Sequence, residues 1–426
     1  MSPSPVALAA RIALYPKFAT CARLGIILSM SIEPLWQVGI NAHLLSRQAG
    51  YRSTGIHGYI SNLLRHLPAA EGASDLRFTV FLGEGQLESD RSLTVMRSTW
   101  PTGRPAIRIL WEQLALPILY LRGKLAGLEP RLHLLHSMAF VTPLAFPWPT
   151  IITIYDLSFI HFPATFPTGQ RAYLRLFARL SCRRARRVIA ISDSTRRDLV
   201  KQWGLSADRI SVACPGVGEQ FQPLPADKVA AFRARRGLPE RFILHLGTLQ
   251  PRKNLPRLIQ AYGRLRGNGT SAKLVLAGDK GWLYGEIAAE IQKLNLQGDV
   301  IMPGYVAEAE LPYWYNAATV LAYPSLYEGF GLPVVEAMAC QTPVVTSNVS
   351  SMPEAVGQAG EPAALLVDPQ DTGALADALH LALTDGSLRE ELRDRGRLQA
   401  ASFTWKRTAT ATVNAYRQAL ALSGGR

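Results

Sequence analysis

The chain has 426 residues, 48% of them hydrophobic and 18% charged, with a formal net charge of +14. That length exceeds what one core holds comfortably, so two domains are expected, and the apolar content excludes a chain disordered throughout. No apolar run reaches the ~18–20 uninterrupted residues of a membrane-spanning helix, and the four dispersed cysteines, with no C-x-x-C pair, argue against a zinc site or a disulfide framework and for a reducing cytoplasm.

The basicity is uneven. Residues 1–220 hold 25 Lys+Arg against 13 Asp+Glu, whereas residues 221–426 hold 21 against 19. Nucleic acid, an anionic membrane surface and a phosphorylated substrate each suit such a first half. Along the chain, residues 1–29 carry apolar patches broken by Arg11, Lys17 and Arg23, a poor fit to a secretory signal with one unbroken apolar core. Met30 is followed closely by strand-forming residues, so residues 1–29 are expected to be a disordered or mis-started extension and Met30 the initiator.

Beyond Met30, short β-branched runs alternate with helical patterns, as in parallel sheets covered by helices. Strands are predicted at 36–41, 77–82, 132–137, 150–155, 187–192 and 210–213, then at 242–248, 273–278, 300–304, 320–325, 343–347 and 364–369. Glycine and proline cluster at 214–228 and mark a junction. The expected fold class is α/β, with Rossmann-like domains over residues 30–220 and 221–402 whose parallel sheets face each other across a cleft, and a terminal helix within 403–426. A nucleotide belongs in such a cleft, at the carboxyl ends of the strands.

Arg171, Arg175, Arg179 and Arg183 recur every four residues and share one helical face. That face is either simply solvated or docked on anionic headgroups. Nucleic acid ranks last, because interleaved aromatics are sparse and no nucleic-acid motif is present. His57 and His136 read as structural histidines and Cys340 as a small core residue.

Residues 325–345 read SLYEGFGLPVVEAMACQTPVV. A strand ends, Gly329 and Gly331 shape a turn, and Pro333 suits the first turn of a helix, where its missing N–H costs nothing. The unpaired N–H groups and positive dipole end of that helix make an anion site. Glu328 and Glu336 flank it, and carboxylates accept hydrogen bonds from vicinal sugar hydroxyls, as a nucleotide sugar would require.

EGFGLPVVEAMA resembles the E-x7-E motif of retaining glycosyltransferases of family 4, which have the GT-B fold. Residues 242–255, 273–282, 300–306 and 343–357 are similar to further family segments, as are 53–64, 153–163 and 188–199. The resemblance implies that Glu336 binds the ribose hydroxyls and Glu328 the transferred sugar. It implies that the backbone around Gly329, Phe330, Gly331 and Leu332 holds sugar and diphosphate, and that Lys253 with Arg252 neutralises the leaving group. Gly55 would lie against the donor, Tyr305 and Val306 would read the base through their backbone, and the terminal helix would cross back to the first domain. Tyr155 stands where many members carry a histidine on the transferred sugar, with Asp156 sharing its role. Thr248 stands in place of a frequent arginine, and Gln341 in place of a frequent glycine.

There is no D-x-D pair to hold a divalent metal, so fixed charge and a helix dipole must stabilise the leaving group. Metal-independent transfer without a cofactor is expected. The implied reaction moves a hexose, with GDP-mannose the favoured donor, to a glycan or lipid-linked acceptor in cell-surface polysaccharide or glycolipid synthesis, in the cytoplasm or on the inner face of the membrane. A nucleotide-sugar epimerase of similar architecture and a non-catalytic nucleotide- or membrane-binding protein are the alternatives.

Overall fold

The computed structural model describes residues 36–45, 55–83, 87, 92–125, 132–279, 284–357 and 360–422. The expectations about Met30 and residues 1–29 lie outside them, as do residues 53 and 54 of the glycine-containing loop.

Seven strands form the first sheet: β1 (Trp36–Asn41), β2 (Leu76–Leu82), β3 (Leu93–Arg97), β4 (Leu134–Ser137), β5 (Thr150–Ile154), β6 (Arg187–Ala190) and β7 (Ile210–Val212). All are parallel, in the order β3-β2-β1-β4-β5-β6-β7. The second sheet has β8 (Phe242–Leu246), β9 (Lys273–Ala277), β10 (Val300–Gly304), β11 (Val320–Tyr323), β12 (Val344–Ser347) and β13 (Leu365–Val367), also parallel, in the order β10-β9-β8-β11-β12-β13. In each sheet the strand order reverses beside the first strand, β1 or β8. Connections leave there in opposite directions and open a crevice at the carboxyl ends. β4, β5, β8, β11 and β12 are buried along their whole length, which suits sequences that are mostly apolar with no charged residue.

Four helices position the site. α1 (Gly55–His66) and α2 (Asp193–Trp203) belong to the first half. α3 (Leu332–Ala339) follows β11, and α4 (Trp405–Ala421) ends the described chain. The Ser192 hydroxyl accepts from Thr195 N–H to cap α2, and Gly204 closes that helix in the left-handed conformation. α4 buries Ala409, Val413, Tyr416 and Leu420, a helical stripe, against the first sheet and α1. His136 hydrogen-bonds Tyr416 at 2.8 Å and Thr153 at 2.8 Å, a satisfied structural histidine as expected.

The predicted strands are present, with ends moved by a few residues. β3 was not anticipated: only Leu93 of its five residues is buried, so this edge strand carries no apolar run to mark it. The helical runs over 105–125 and 168–184, each with a π turn, cover one face of the first sheet.

Gln341 sits just past α3 with φ +57°, and the N–H groups of Gln341 and Thr342 return to the carbonyls of Met338 and Ala337. This is the Schellman ending that ordinarily takes glycine, and a side chain there costs on the order of 1 kcal/mol. Gln341→Gly is therefore expected to raise the stability of the second half by about 1 kcal/mol. Thermal or denaturant unfolding checks it; an unchanged or lower midpoint would show that Gln341 sits there without strain.

Candidate active site

The stretch between β11 and α3 is shaped by two close approaches. At Gly331 φ is +104°, and a Cβ would stand 2.4 Å from the Met352 terminal methyl. At Gly329 a Cβ would stand 2.2 Å from the Tyr155 carbonyl oxygen, so the loop presses directly on the end of β5. Ser350 and Ser351, beyond β12, clamp the backbone of Glu328. Its N–H donates to Ser350 Oγ at 3.0 Å, and its carbonyl accepts from Ser350 Oγ at 2.8 Å and Ser351 Oγ at 2.9 Å.

Glu328 is 7% exposed, and its side chain lies between two cations. Lys253 Nζ is 2.5 Å from its Oε1 and Arg252 Nη1 is 2.5 Å from its Oε2. Both cations come from a 3-10 turn, Pro251–Lys253, just beyond β8. The turn ends at Asn254, whose amide donates to the carbonyls of Pro324 at 3.2 Å and Pro369 at 2.6 Å. Lys253 also donates to the Tyr323 hydroxyl, and His245 stacks on the Tyr323 ring with centroids 5.6 Å apart.

Charge balance in this group follows from burial. Burial alone would push the Glu328 carboxyl up, but the Arg252 and then the Lys253 charge override it and hold it at about 2. Burial pulls Lys253 down to about 8, with Glu328 opposing the fall. Burial also works against the Arg252 charge, but Glu328 outweighs it and holds the guanidinium above its ordinary value. Burial lowers His245 to about 4, so it is neutral. Glu328, Arg252 and Lys253 together leave one positive charge in excess, near the positive dipole end of α3. Glu336, a turn into α3, accepts from the Tyr315 hydroxyl at 2.7 Å. Burial raises its carboxyl to about 7, against the opposing hydrogen bond and with help from Glu308.

α2 ties the two halves together. The Glu354 carboxylate, from the second half, accepts from the N–H of Asp193 at 2.9 Å and of Ser194 at 3.2 Å at the helix start. One residue on, the Thr195 hydroxyl lies 3.2 Å from the Tyr155 carbonyl oxygen and 3.4 Å from that of Gly329. A turn later, the Tyr327 hydroxyl donates to Asp198 at 2.7 Å and accepts from Leu157 N–H at 3.0 Å.

The structure thus gathers Glu328, Arg252, Lys253, Gly329 and Gly331 in one place, with the backbone of Tyr155 against the loop. The charge of Asp156 bears on both Arg252 and Lys253, and its carboxylate accepts from Ser158 N–H at 2.9 Å. Leu332 opens α3, and Phe330 is buried edge-on against Phe403, so only its backbone is left for a ligand. Tyr305 is exposed beyond β10, Val306 is buried beside it, and Gly55 opens α1. The assignment of the Tyr155 side chain to catalysis is corrected. It is buried, its hydroxyl donates to the Met138 carbonyl at 2.8 Å, and its ring packs edge-on against Tyr59, so it turns into the first-half core. The sequence reading missed Tyr323, Tyr327, His245, Ser350 and Glu354. Tyr327 stands next to Glu328 in the quoted stretch, but an aromatic there reads as core. Among the described residues, no three His, Cys, Asp or Glu side chains form a metal-binding group.

Two parallel sheets, each with its switch point, and a buried carboxylate held by two cations beside a helix start define a GT-B enzyme. The model described as Glycosyl transferases group 1 matches residues 230–399, and that of Glycosyltransferase Family 4 matches residues 53–221. O-antigen chain mannosyltransferase B of Escherichia coli is 35% identical over 269 residues, covering 63% of this chain and 70% of that protein. Serotype-specific mannosyltransferase WbdA of Escherichia coli is 29% identical over 284 residues, 64% of this chain but only 34% of that protein's length. The sucrose-phosphate synthase of Thermosynechococcus elongatus matches in fold with a TM-score of 0.70, over 91% of this chain and 100% of that one, at 24% identity. The chain belongs to the glycosyltransferases of family 4.

Gly329→Ala forces a Cβ onto backbone rather than onto a flexible side chain, so it is expected to lower the unfolding midpoint and to cut turnover of a nucleotide sugar about tenfold or more. Wild-type values for both would show that the halves do not meet at this residue.

Proposed function

We propose that the protein is a retaining hexosyltransferase that moves mannose from GDP-mannose to a glycan or lipid-linked acceptor in the synthesis of cell-surface polysaccharide or glycolipid. In this reading residues 30–220 take the acceptor and residues 221–402 the donor. The observation that carries it is the Glu328–Arg252–Lys253 group at the start of α3. The names of the two mannosyltransferase relatives support the choice of sugar.

The ribose hydroxyls donate to Glu336. The diphosphate lies at the α3 start, where Arg252, Lys253 and the backbone of Phe330, Gly331 and Leu332 neutralise it without a divalent metal. Gly55 approaches the donor from the first half, and the backbone of Tyr305 and Val306 reads the base. Glu328 is held at about 2 and so stays ionised at any working pH. It positions the sugar and does not act as an acid. The acceptor oxygen bonds to the anomeric carbon on the face from which the diphosphate departs. The carbon–oxygen bond to phosphate breaks, and the leaving phosphate oxygen takes the acceptor proton. No described helix is long and apolar enough to cross a membrane. A lipid-linked acceptor is reached by peripheral contact of Arg171, Arg175, Arg179 and Arg183 with the inner leaflet.

The test is nucleotide diphosphate release from GDP-, UDP-, dTDP- and ADP-sugars in chelator, with and without mixed lipid and oligosaccharide acceptors. Release from GDP-mannose that depends on acceptor is expected. Acceptor-independent hydrolysis or isomerisation, or activity restored only by a divalent ion, would overturn the reading. Glu328→Gln keeps the shape but loses the charge, and should cut turnover roughly 100-fold while the donor Kd stays within a few-fold; unchanged turnover would remove Glu328 from the reaction.

Glu336 supplies a pH dependence. Its carboxyl is raised to about 7, and hydroxyl donors favour the ionised form. Donor affinity should therefore fall as pH drops below about 7 and level off above it, with proton release on binding in that range. Calorimetry in buffers of different ionisation enthalpy checks it: Glu336→Gln should bind more weakly and without this slope, and a slope that survives in that variant would assign it elsewhere.

A further inference from the structure

We propose that Glu112 and His43, gathered at the carboxyl end of β1 with Asn41, form a subsite that hydrogen-bonds the hydroxyls of the acceptor's terminal sugar. The proposal rests on the reading of residues 30–220 as the acceptor side; what it adds is the residues and the neutral, hydroxyl-bearing ligand that they fit.

Strand parity brings these side chains together. Asn41 of β1 pairs with Ser137 of β4, and Ser137 pairs with Ile152 of β5, so the three share the face covered by the helical runs over 105–125 and 168–184. Glu112, from the first of those runs, accepts from Asn41 Nδ2 at 3.1 Å. His43 donates its N–H to Asn41 Oδ1 at 3.3 Å and stacks its ring on Trp111, with centroids 4.1 Å apart. The same strand ends lead to the loop before α3. Met138 N–H donates to the Asn41 carbonyl at 3.2 Å, and the Met138 carbonyl accepts from the Tyr155 hydroxyl at 2.8 Å. The Tyr155 carbonyl in turn abuts Gly329. The end of β1 is thus two strand spacings, about 10 Å, from the end of β5. A sugar held there can turn one hydroxyl toward the donor position beside Gly329.

The polar atoms of this corner are under-satisfied. Glu328 meets two cations at 2.5 Å. Glu112, 6% exposed, has one hydrogen bond: Arg108 lies 3.9 Å from the same Oε1, and Oε2 has no hydrogen-bond partner among the described residues. His43 is 7% exposed, and neither of its ring nitrogens has a partner among the described residues. Thr102 Oγ1 is buried and unpartnered as well. A Cβ at Gly83 would stand 2.2 Å from that hydroxyl and 3.6 Å from His43 Nδ1, so hydroxyl and imidazole flank one glycine. Buried polar groups are ordinarily satisfied, and leaving several bare in one place costs stability. At the carboxyl edge of a switch point, such groups are the signature of a binding site.

Their chemistry suits hydroxyls. Burial, and then the Arg108 charge, lowers His43 to about 4, so its neutral ring has one donor and one acceptor nitrogen. Burial raises Glu112 to about 7 against the Arg108 charge and the Asn41 hydrogen bond, and a hydroxyl donating to Oε2 would favour its ionised form. A sugar hydroxyl both donates and accepts, and so matches both side chains. The charges of Arg108 and Glu112 oppose each other, which disfavours a phosphate or a bare cation. An apolar ligand would leave the polar atoms unpaired.

The test uses the full-length protein, saturation-transfer NMR and a panel of methyl glycosides that includes methyl α-mannoside, with and without GDP. Wild type is expected to bind at least one glycoside. E112Q and H43F should each weaken that binding about tenfold or more while GDP affinity stays within a few-fold. His43→Phe keeps a ring on Trp111 and removes the two bare nitrogens, so its thermal midpoint should equal or exceed that of wild type. A lower midpoint would make His43 structural and overturn its role. Absence of glycoside binding by wild type, or binding that both variants retain, as water on these atoms would give, would overturn the subsite. Nucleotide release from GDP-mannose separates this from the transferase reading. Glycoside binding lost in the variants, with no acceptor-dependent release by wild type, would overturn the transferase reading and leave a sugar site standing. Wild-type release that E112Q and H43F keep at an unchanged acceptor KM would overturn the subsite alone.

Discussion

A carboxylate buried as deeply as Glu328 exists as an anion only if fixed cations replace the water it has lost, and Arg252 and Lys253 do so from 2.5 Å on either side. The dependence is mutual. Without Glu328, two adjacent cations would face each other in a dry site, where burial already erodes the lysine charge. The loop beyond β8 and the loop beyond β11 therefore hold one another by charge. They can do so because β8 and β11 are neighbours in the sheet, so a sequence separation of 75 residues becomes one strand spacing. The serines beyond β12, the next strand, complete the clamp. In the proposed reaction the excess positive charge left over would face the diphosphate.

That group is not confined to one half of the molecule. Gly329, next to Glu328, has no side chain because the Tyr155 carbonyl occupies the space one would take. α2 then receives contacts in succession from Glu354, Gly329 and Tyr327. A carboxylate on the first turn of α2 offsets that helix's positive end, so the contact is favourable in charge as well as in hydrogen bonding. The residues around Glu328 are thus registered against the carboxyl edge of the first sheet, where the proposed acceptor would lie. The two halves are coupled through backbone and one helix.

How far the site could be read in advance differs residue by residue. Glu328, Gly329, Gly331 and Glu336 were legible because a glycine-bracketed turn followed by proline has few other uses at a strand end. Lys253 and Arg252 were legible as a pair between strand and helix. That Glu328 would be their partner was not, since nothing local links residues 75 apart. Tyr155 misled because its neighbour Asp156 and its backbone do lie at the site, while the side chain follows the rotamer that lets its hydroxyl reach Met138. β3 was illegible because an edge strand that buries one residue carries no periodic signal.

What the sequence determined by itself was everything set by local rules. Alternating apolar runs specified two parallel sheets, glycine and proline placed the turns and the helix starts, and the E-x7-E stretch marked the candidate site. Tertiary structure alone decided which charges meet and which aromatic side chains turn inward. The reason is physical. Backbone preference and periodicity act over a few residues, whereas burial, and with it the strength and sign of each electrostatic effect, is settled only when strands distant in sequence become neighbours.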